Sequence, residues 1–389
     1  MKTSLFTNSI IWFGAAISIA EIITGTYLAP LGFAKGLAAI IIGHIIGCIL
    51  LFLAGVIGGV RGQGAMDSVK LSFGLRGGAI FAILNIIQLL GWTAIMIYDA
   101  AQAANGIAKA SAWGWALAVG GLIVLWLLLG LRRARVLNAV AVGGLFILSV
   151  VLAFRVFTDS ESGLINETIS FGAAIELSAA MPLSWLPLIS DYTKQAQNPV
   201  KASALSALSY GIISCFMYAV GMGAAINSNS SDIVGILLAS GLGIWGLVIV
   251  VLSTVTTTFL DAYSAGVSAK AINSKISIKA FSVAVAVAGT VAAVCFNMDD
   301  ITDFLYLIGS VFAPMITILI VDFFILRQDF SDKGFGWINL MIWLAGFLLY
   351  RYLLSIETPL GNTLPDMLAT AVLCLIVHKI KNLQLKLKN

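Results

Sequence analysis

Apolar positions fill this chain in twelve long stretches, near 8–29, 37–57, 78–106, 114–131, 136–157, 171–190, 203–225, 236–268, 280–296, 301–326, 337–354 and 366–380. A helix needs roughly 20 apolar residues to cross about 30 Å of hydrocarbon. The pattern therefore predicts an all-α polytopic membrane protein of about 12 transmembrane helices. Polar gaps such as 58–77 and 158–170 are no longer than loops, so 1–389 reads as a single transmembrane domain.

Charge sets the orientation. With the N-terminus inside, 18 of the 22 basic residues fall in alternate gaps on the inner side, and only Lys35, Lys109, Arg155 and Arg351 lie outside. The outer gaps collect Asp159, Glu161, Glu167, Asp232, Asp299, Asp300 and Asp303. Positive residues are retained on the cytoplasmic side, so both termini are expected there, in an inner or plasma membrane. The net charge of +4 then reflects topology, and no nucleic-acid partner is needed to explain it. At 60% hydrophobic and 10% charged, the composition is that of a protein solvated mostly by lipid.

Several classes of chemistry are excluded. Cys48, Cys215, Cys295 and Cys374 stand singly in apolar segments without metal or disulfide spacing and read as packing residues. No phosphate loop, zinc-protease helix or nucleophile elbow occurs, and the inner loops are too short for an ATPase. An intramembrane enzyme would need a nucleophile with a base or a metal cluster, which two histidines without a motif do not supply. His44, between Gly43 and Gly47, reads as a helix–helix contact.

Spans one to five run inside to outside and spans six to ten start outside, so 8–157 and 171–326 form candidate repeats of opposite topology, with helices at 337–380 appended. Such inverted repeats recur in secondary transporters, whose first and sixth spans are interrupted at the site. Span one carries Gly14-Ala15-Ala16, Ser18, Glu21, Thr24 and Gly25, and span six carries Gly172, Glu176, Pro182, Ser184 and Pro187. Glycine and proline both weaken helix, which suits a break at mid-depth. An ordinary kink in each is the alternative.

Charges at bilayer depth cost a few kcal/mol, so each needs a partner or a role. Glu21 and Glu176 sit in the two interrupted segments, where they can accept hydrogen bonds from an amino-substituted ring, carry a proton, or brace half-helix ends. Asp99, Asp261 and Asp322 are the other intramembrane acids, and Asp322, beside Arg327, reads as structural. In span three, Asn85, Gln88, Trp92 and Asp99 form one narrow stripe, and mid-span Trp92 can stack a planar ring or simply pack. In span eight, Ser253, Thr256 and Thr257 can supply oxygens to a small cation or bond their own helix.

Three stretches resemble the nucleobase:cation symporters, the family that includes cytosine permease and the hydroxymethylpyrimidine transporters. They are Gly91-Trp92, the run Pro187-Leu188-Ile189-Ser190-Asp191-Tyr192-Thr193-Lys194, and Thr256-Thr257 followed by Tyr263. The resemblance covers nearly the whole chain. It implies twelve helices, a five-plus-five inverted repeat, and uptake of a purine, pyrimidine or hydantoin-like ring with a cation.

Carried over by position, the resemblance makes Trp92 the ring-stacking residue and gives a sodium site of Ser253, Thr256 and Thr257 with carbonyls near Gly14 and Ile17. The Asp191-Tyr192 exit reads as structural. The chain departs from the family in placing Gln88 a full turn before Trp92, and in having small residues, Ala179 or Ala180, where a second aromatic is expected.

The expected substrate set is Trp92, Gln88, Glu21, Glu176, Ser18 and Ala179, and the expected cation set is Gly14, Ile17, Ser253, Thr256 and Thr257. Room beside the small residues, with acids to receive an exocyclic amine, favours 4-amino-5-hydroxymethyl-2-methylpyrimidine over bare cytosine. The coupling ion is sodium or a proton; no cofactor is called for, and the oligomeric state is left open. An amino-acid symporter of the same architecture is the rival, opposed by repulsion between the two glutamates and a carboxylate substrate.

Overall fold

The computed structural model describes residues 2–158, 169–228, 243–299 and 301–388. The expected outer acids Asp159, Glu161, Glu167, Asp232 and Asp300, and the first residues of span eight, lie outside them. Each of the twelve expected stretches falls on helix, the eighth from 243 onward. Among the described residues, eight helices are long and apolar enough to cross a membrane, nine if the bent first pair is one span.

The helices are α1 Leu5–Ala16, α2 Ile19–Thr26, α3 Phe33–Arg61, α4 Ala65–Ile107, α5 Ala112–Leu129, α6 Leu131–Thr158 and α7 Phe171–Ser184. They continue with α8 Leu186–Thr193, α9 Pro199–Ser228, α10 Gly243–Ile272, α11 Ile278–Cys295, α12 Thr302–Ile320, α13 Trp337–Leu353 and α14 Thr363–Lys388. Serine marks several starts: Ser4, Ser18, Ser111, Ser170 and Ser277 each accept a first-turn amide of the helix that follows. A serine hydroxyl there satisfies an amide the helix itself leaves unpaired. In α4, Gly74 takes φ +77°, and the amides of Leu75 and Arg76 bond the carbonyls of Lys333 and Gly334 instead of the preceding turn. That positive φ turns the chain from a short leading helix into the long third span.

Polarity is inverted relative to a water-soluble protein. Ile147 and Ile212 are 65% and 67% exposed, whereas Asn85, Glu176 and Asp322 are fully buried. Lipid is as apolar as isoleucine, so helices associate through close packing and buried polar bonds. α4 packs most extensively on α10, and α3 packs on α7 and α9. At the α3–α7 crossing, a Cβ on Gly43 would lie 2.5 Å from the Ile175 carbonyl, so glycine permits the approach.

Both ends of the chain lie on one face. Thr3 pairs with Gln195 and Gln197 through backbone bonds. From there Asp191 accepts the Ala65 amide, Arg61 bonds Asp329 at 2.9 Å, and Lys381 lies over the Phe330 ring. On the opposite face, the hydroxyls of Tyr27 and Tyr98 bond Asp299.

Candidate functional site

The first span breaks where its sequence weakens helix. α1 ends at Ala16, Ile17 and Ser18 leave helical geometry, and α2 restarts with Ser18 as its cap, bent by 48°. The sixth span is interrupted more mildly than expected. Trp185 alone separates α7 from α8, and it keeps near-helical angles (φ −90°, ψ −10°). Proline has no amide to donate. At this junction the Leu188 amide bonds the Trp185 carbonyl, and side chains of α4 reach the backbone around it: Gln88 donates to the Ser184 carbonyl at 2.8 Å and Asn85 to the Pro187 carbonyl at 3.3 Å.

The two breaks enclose a cavity of about 20 Å³ whose wall includes Glu21, Trp92, Met96, Trp185, Thr257 and Asp261. Ser18 and Ala15 complete its side at the first break. Among the described residues, no lysine, arginine or histidine lines it. The indole N–H of Trp92 is buried without a partner, and the ring packs edge-on against Phe304 at 5.5 Å. Gly91 makes that packing possible, because a Cβ there would lie 2.6 Å from the Phe304 ring. Trp185 is held by Trp12 at 5.5 Å and by its own N–H bond to the Tyr210 hydroxyl at 3.1 Å.

Glu21 anchors a hydrogen-bonded chain. Tyr210 donates to its Oε1 at 2.6 Å and Ser214 meets its Oε2 at 2.7 Å. Ser214 also lies 2.6 Å from His44 Nε2, and His44 Nδ1 lies 2.9 Å from the Ile40 carbonyl. A carbonyl only accepts, so Nδ1 carries a hydrogen. Ser214 has one proton for two neighbours. Both of its bonds are made only if His44 is doubly protonated or Glu21 carries the proton, so this bonding calls for one proton beyond a neutral imidazole and a carboxylate.

The profile of a family described as "Permease for cytosine/purines, uracil, thiamine, allantoin" matches residues 2–374. The chain belongs to this permease family. It is a transporter and not an enzyme. The cytosine permease of Escherichia coli (strain K12) is 22% identical over 367 residues, covering 90% of this chain and 86% of that protein. Among solved structures, Mhp1, a nucleobase-cation-symport-1 family transporter in a closed conformation with bromovinylhydantoin bound, superposes with TM-score 0.83 at 19% identity, covering 97% of this chain and 92% of its own. Inward-facing Mhp1 gives 0.81 at 18% identity, over the same shares of the two chains. A Na⁺-coupled sialic acid symporter gives 0.62 at 13% identity, over 94% and 90%. These likenesses establish the fold.

Within the permease, the expected substrate residues divide. Trp92, Glu21 and Ser18 line the cavity; Gln88, Glu176 and Ala179 do not. Gln88 holds the sixth-span break instead, and Ala179 is buried in packing. Glu176 corrects the expectation that both acids face the site. Its carboxylate accepts the hydroxyls of Tyr350 and Thr363 and the backbone amides of Asn362 and Thr363. A carboxylate on the first amides of a helix matches the positive end of the helix dipole, so Glu176 clamps α7 to the start of α14.

Of the expected cation residues, Thr257 alone lines the cavity, which Ala15 and Ser18 at the first break also line. The hydroxyls of Ser253, Thr256 and Thr257 each donate to a carbonyl of their own helix, so their protons are used while each oxygen keeps its capacity to accept. Gly14 and Ile17 frame the break, with the Ile17 amide bonded to the Gly14 carbonyl at 3.2 Å.

Among the wall residues that the sequence reading did not assign to substrate, Trp185 and Asp261 carry the chemistry. Trp185 had a signal in its position between Pro182 and Pro187, and Asp261 in being an intramembrane acid. The Ser190–Thr193 exit is tied to its neighbours: Ser190 and Thr193 bond the Ala54 and Gly55 carbonyls of α3, and Asp191 bonds the first amide of α4. Asp322 binds Asn339 at 2.7 Å, whereas the sequence had placed it beside Arg327.

Proposed function

We propose that this permease imports a small planar nitrogen heterocycle, foremost hydroxymethylpyrimidine and next cytosine, by symport with a cation. The observation that carries the reading is the cavity wall, with two tryptophans for the faces of a ring, two carboxyl side chains for its N–H groups, and no basic residue among the described residues. Aromatic faces hold flat rings by stacking. Acids without a balancing base favour an amino-bearing ring over a carboxylate, which argues against the amino-acid rival.

The cavity of about 20 Å³ holds about one water, whereas a cavity that accepts benzene is about 150 Å³. This supports reading the structure as a contracted state whose walls part when substrate enters. The bent joint at Ile17–Ser18 and the Trp185 junction are the natural places for that movement.

Two observations bear on the coupling ion. The bonding of Glu21–Ser214–His44, which calls for one added proton, supports a proton, and the hydroxyl oxygen of Thr257 in the cavity wall, with Thr256 beside it on α10, supports sodium. The repeats 8–157 and 171–326, with 337–380 appended, and an inner-membrane orientation with both termini cytoplasmic, complete the proposal.

Equilibrium binding to the purified protein tests the substrate class. Hydroxymethylpyrimidine and cytosine should bind, and Asp261→Asn should weaken both. Preference for an amino acid over both rings would overturn the reading.

A further inference from the structure

On the face that carries both termini, the end of the tenth span and the last helix bring Asp322, Cys374 and His378 together. After Ile320 the helix widens into a single π-turn over Val321–Leu326, an uncommon element often found at functional sites, and Asp322 stands in its first part. Cys374 and His378 are four residues apart on α14, so they share one side of it. All three are 0% exposed, and one potential ligand atom from each lies within 4.8 Å of the others. None of the three lines the substrate cavity.

Their hydrogen bonds leave the cluster incomplete. Asn339 donates from Nδ2 to Asp322 Oδ2 at 2.7 Å and to the Ser72 carbonyl at 2.8 Å. Its Oδ1 lies 2.8 Å from His378 Nε2, so Nε2 is the donor nitrogen. His378 Nδ1 is then a buried acceptor with no partner, and Asp322 Oδ1 has only the Ser72 hydroxyl near it, next to a free thiol. Unpaired polar atoms of this kind are costly in a dry interior. Asn339 orients both groups as an outer-shell residue orients metal ligands, by binding the other nitrogen of the imidazole and the other oxygen of the carboxylate.

We propose that Asp322, Cys374 and His378 bind a divalent transition-metal ion of the zinc class. The donor set of sulfur, nitrogen and one oxygen suits zinc or cobalt, and disfavours calcium and magnesium, which take oxygen ligands. Binding releases the thiol proton to water, and the resulting thiolate and carboxylate cancel the two charges of the ion. Tetrahedral zinc, with bonds of about 2.0–2.3 Å, sets its ligands about 3.3–3.8 Å apart, so a side-chain shift of about 1 Å closes the site. Water fills the fourth position. The bound ion ties the end of α14 to the π-turn, away from the transport path.

Cobalt titration of the full-length protein in detergent, after chelator treatment, tests this directly. The wild type should take up one cobalt ion per chain with a thiolate-to-cobalt charge-transfer band. Cys374→Ser should remove the band, and His378→Gln should weaken cobalt binding by about tenfold or more. Zinc should raise the thermal midpoint of the wild type and not of either variant; the metal-free midpoints serve as the folding control. Absence of the band in the wild type, or its persistence in Cys374→Ser, would overturn the proposal.

Discussion

Tyr210 donates its hydroxyl to Glu21 at 2.6 Å, joining α9 to the half-helix that follows the break in the first span. The same hydroxyl accepts the Trp185 indole N–H. An acid in the cavity wall and an aromatic in the cavity wall are thus linked through one phenol.

If Glu21 carries the coupling proton, Glu21→Gln should abolish the stimulation of uptake by an acidic exterior, while measurable ring binding survives. Glutamine keeps one acceptor for Tyr210 but cannot exchange the proton. Tyr210→Phe keeps the aromatic cluster and should weaken the stimulation without removing it. Uptake across a series of imposed pH gradients measures this, and undiminished acid stimulation in Glu21→Gln would remove Glu21 from coupling.

Trp92→Ala and Trp185→Ala should each lower substrate affinity while the protein still inserts. Stacking of a base on an aromatic contributes about 1–3 kcal/mol, or about five- to 150-fold. Trp185→Ala should have the wider effect, because it also frees Tyr210 from its indole partner. Isothermal titration of the purified variants reads both, and unchanged affinity in Trp92→Ala would reject stacking.

Much of the site could be read from the chain itself. The weak helix at Gly14–Ser18, the mid-span Trp92 and the acid Glu21 all lie where local composition pointed. Gln88 and Asn85 stood out as a stripe, but their targets are backbone carbonyls at the junction of another span, so local spacing could not name them. Glu176 was misassigned to the substrate for a similar reason. Its partners Tyr350 and Thr363 lie 174 and 187 residues away, on helices whose docking against α7 only tertiary packing determines. Trp185 was missed because the expected aromatic was sought about one and a half turns earlier, at Ala179 or Ala180.

Glu176→Gln should lower the thermal midpoint and leave substrate affinity near that of the wild type. Hydrogen bonds to a charged group contribute about 1.5–3 kcal/mol each. The amide can keep the two backbone donors on its oxygen only by turning its own donors toward Tyr350 and Thr363. Thermal unfolding and ligand binding on one preparation separate the roles. A large loss of affinity with an unchanged midpoint would return Glu176 to the binding site.

Thr256→Val together with Thr257→Val preserves shape and deletes two oxygens. Sodium-coupled uptake should lose its sodium stimulation in the double variant and keep its substrate selectivity. Initial rates with sodium replaced by choline measure it, and full stimulation in the double variant would place any sodium site elsewhere.

Competition uptake into vesicles tests the central claim most directly. Labelled hydroxymethylpyrimidine is challenged with unlabelled hydroxymethylpyrimidine, cytosine, uracil and hypoxanthine, each with and without sodium and with an imposed pH gradient. A two-tryptophan cavity with two acids predicts cation-stimulated uptake, displaced most strongly by hydroxymethylpyrimidine, next by cytosine, and weakly by uracil, which lacks the exocyclic amine. Uptake that no ring displaces, or that responds to neither cation, would contradict the account.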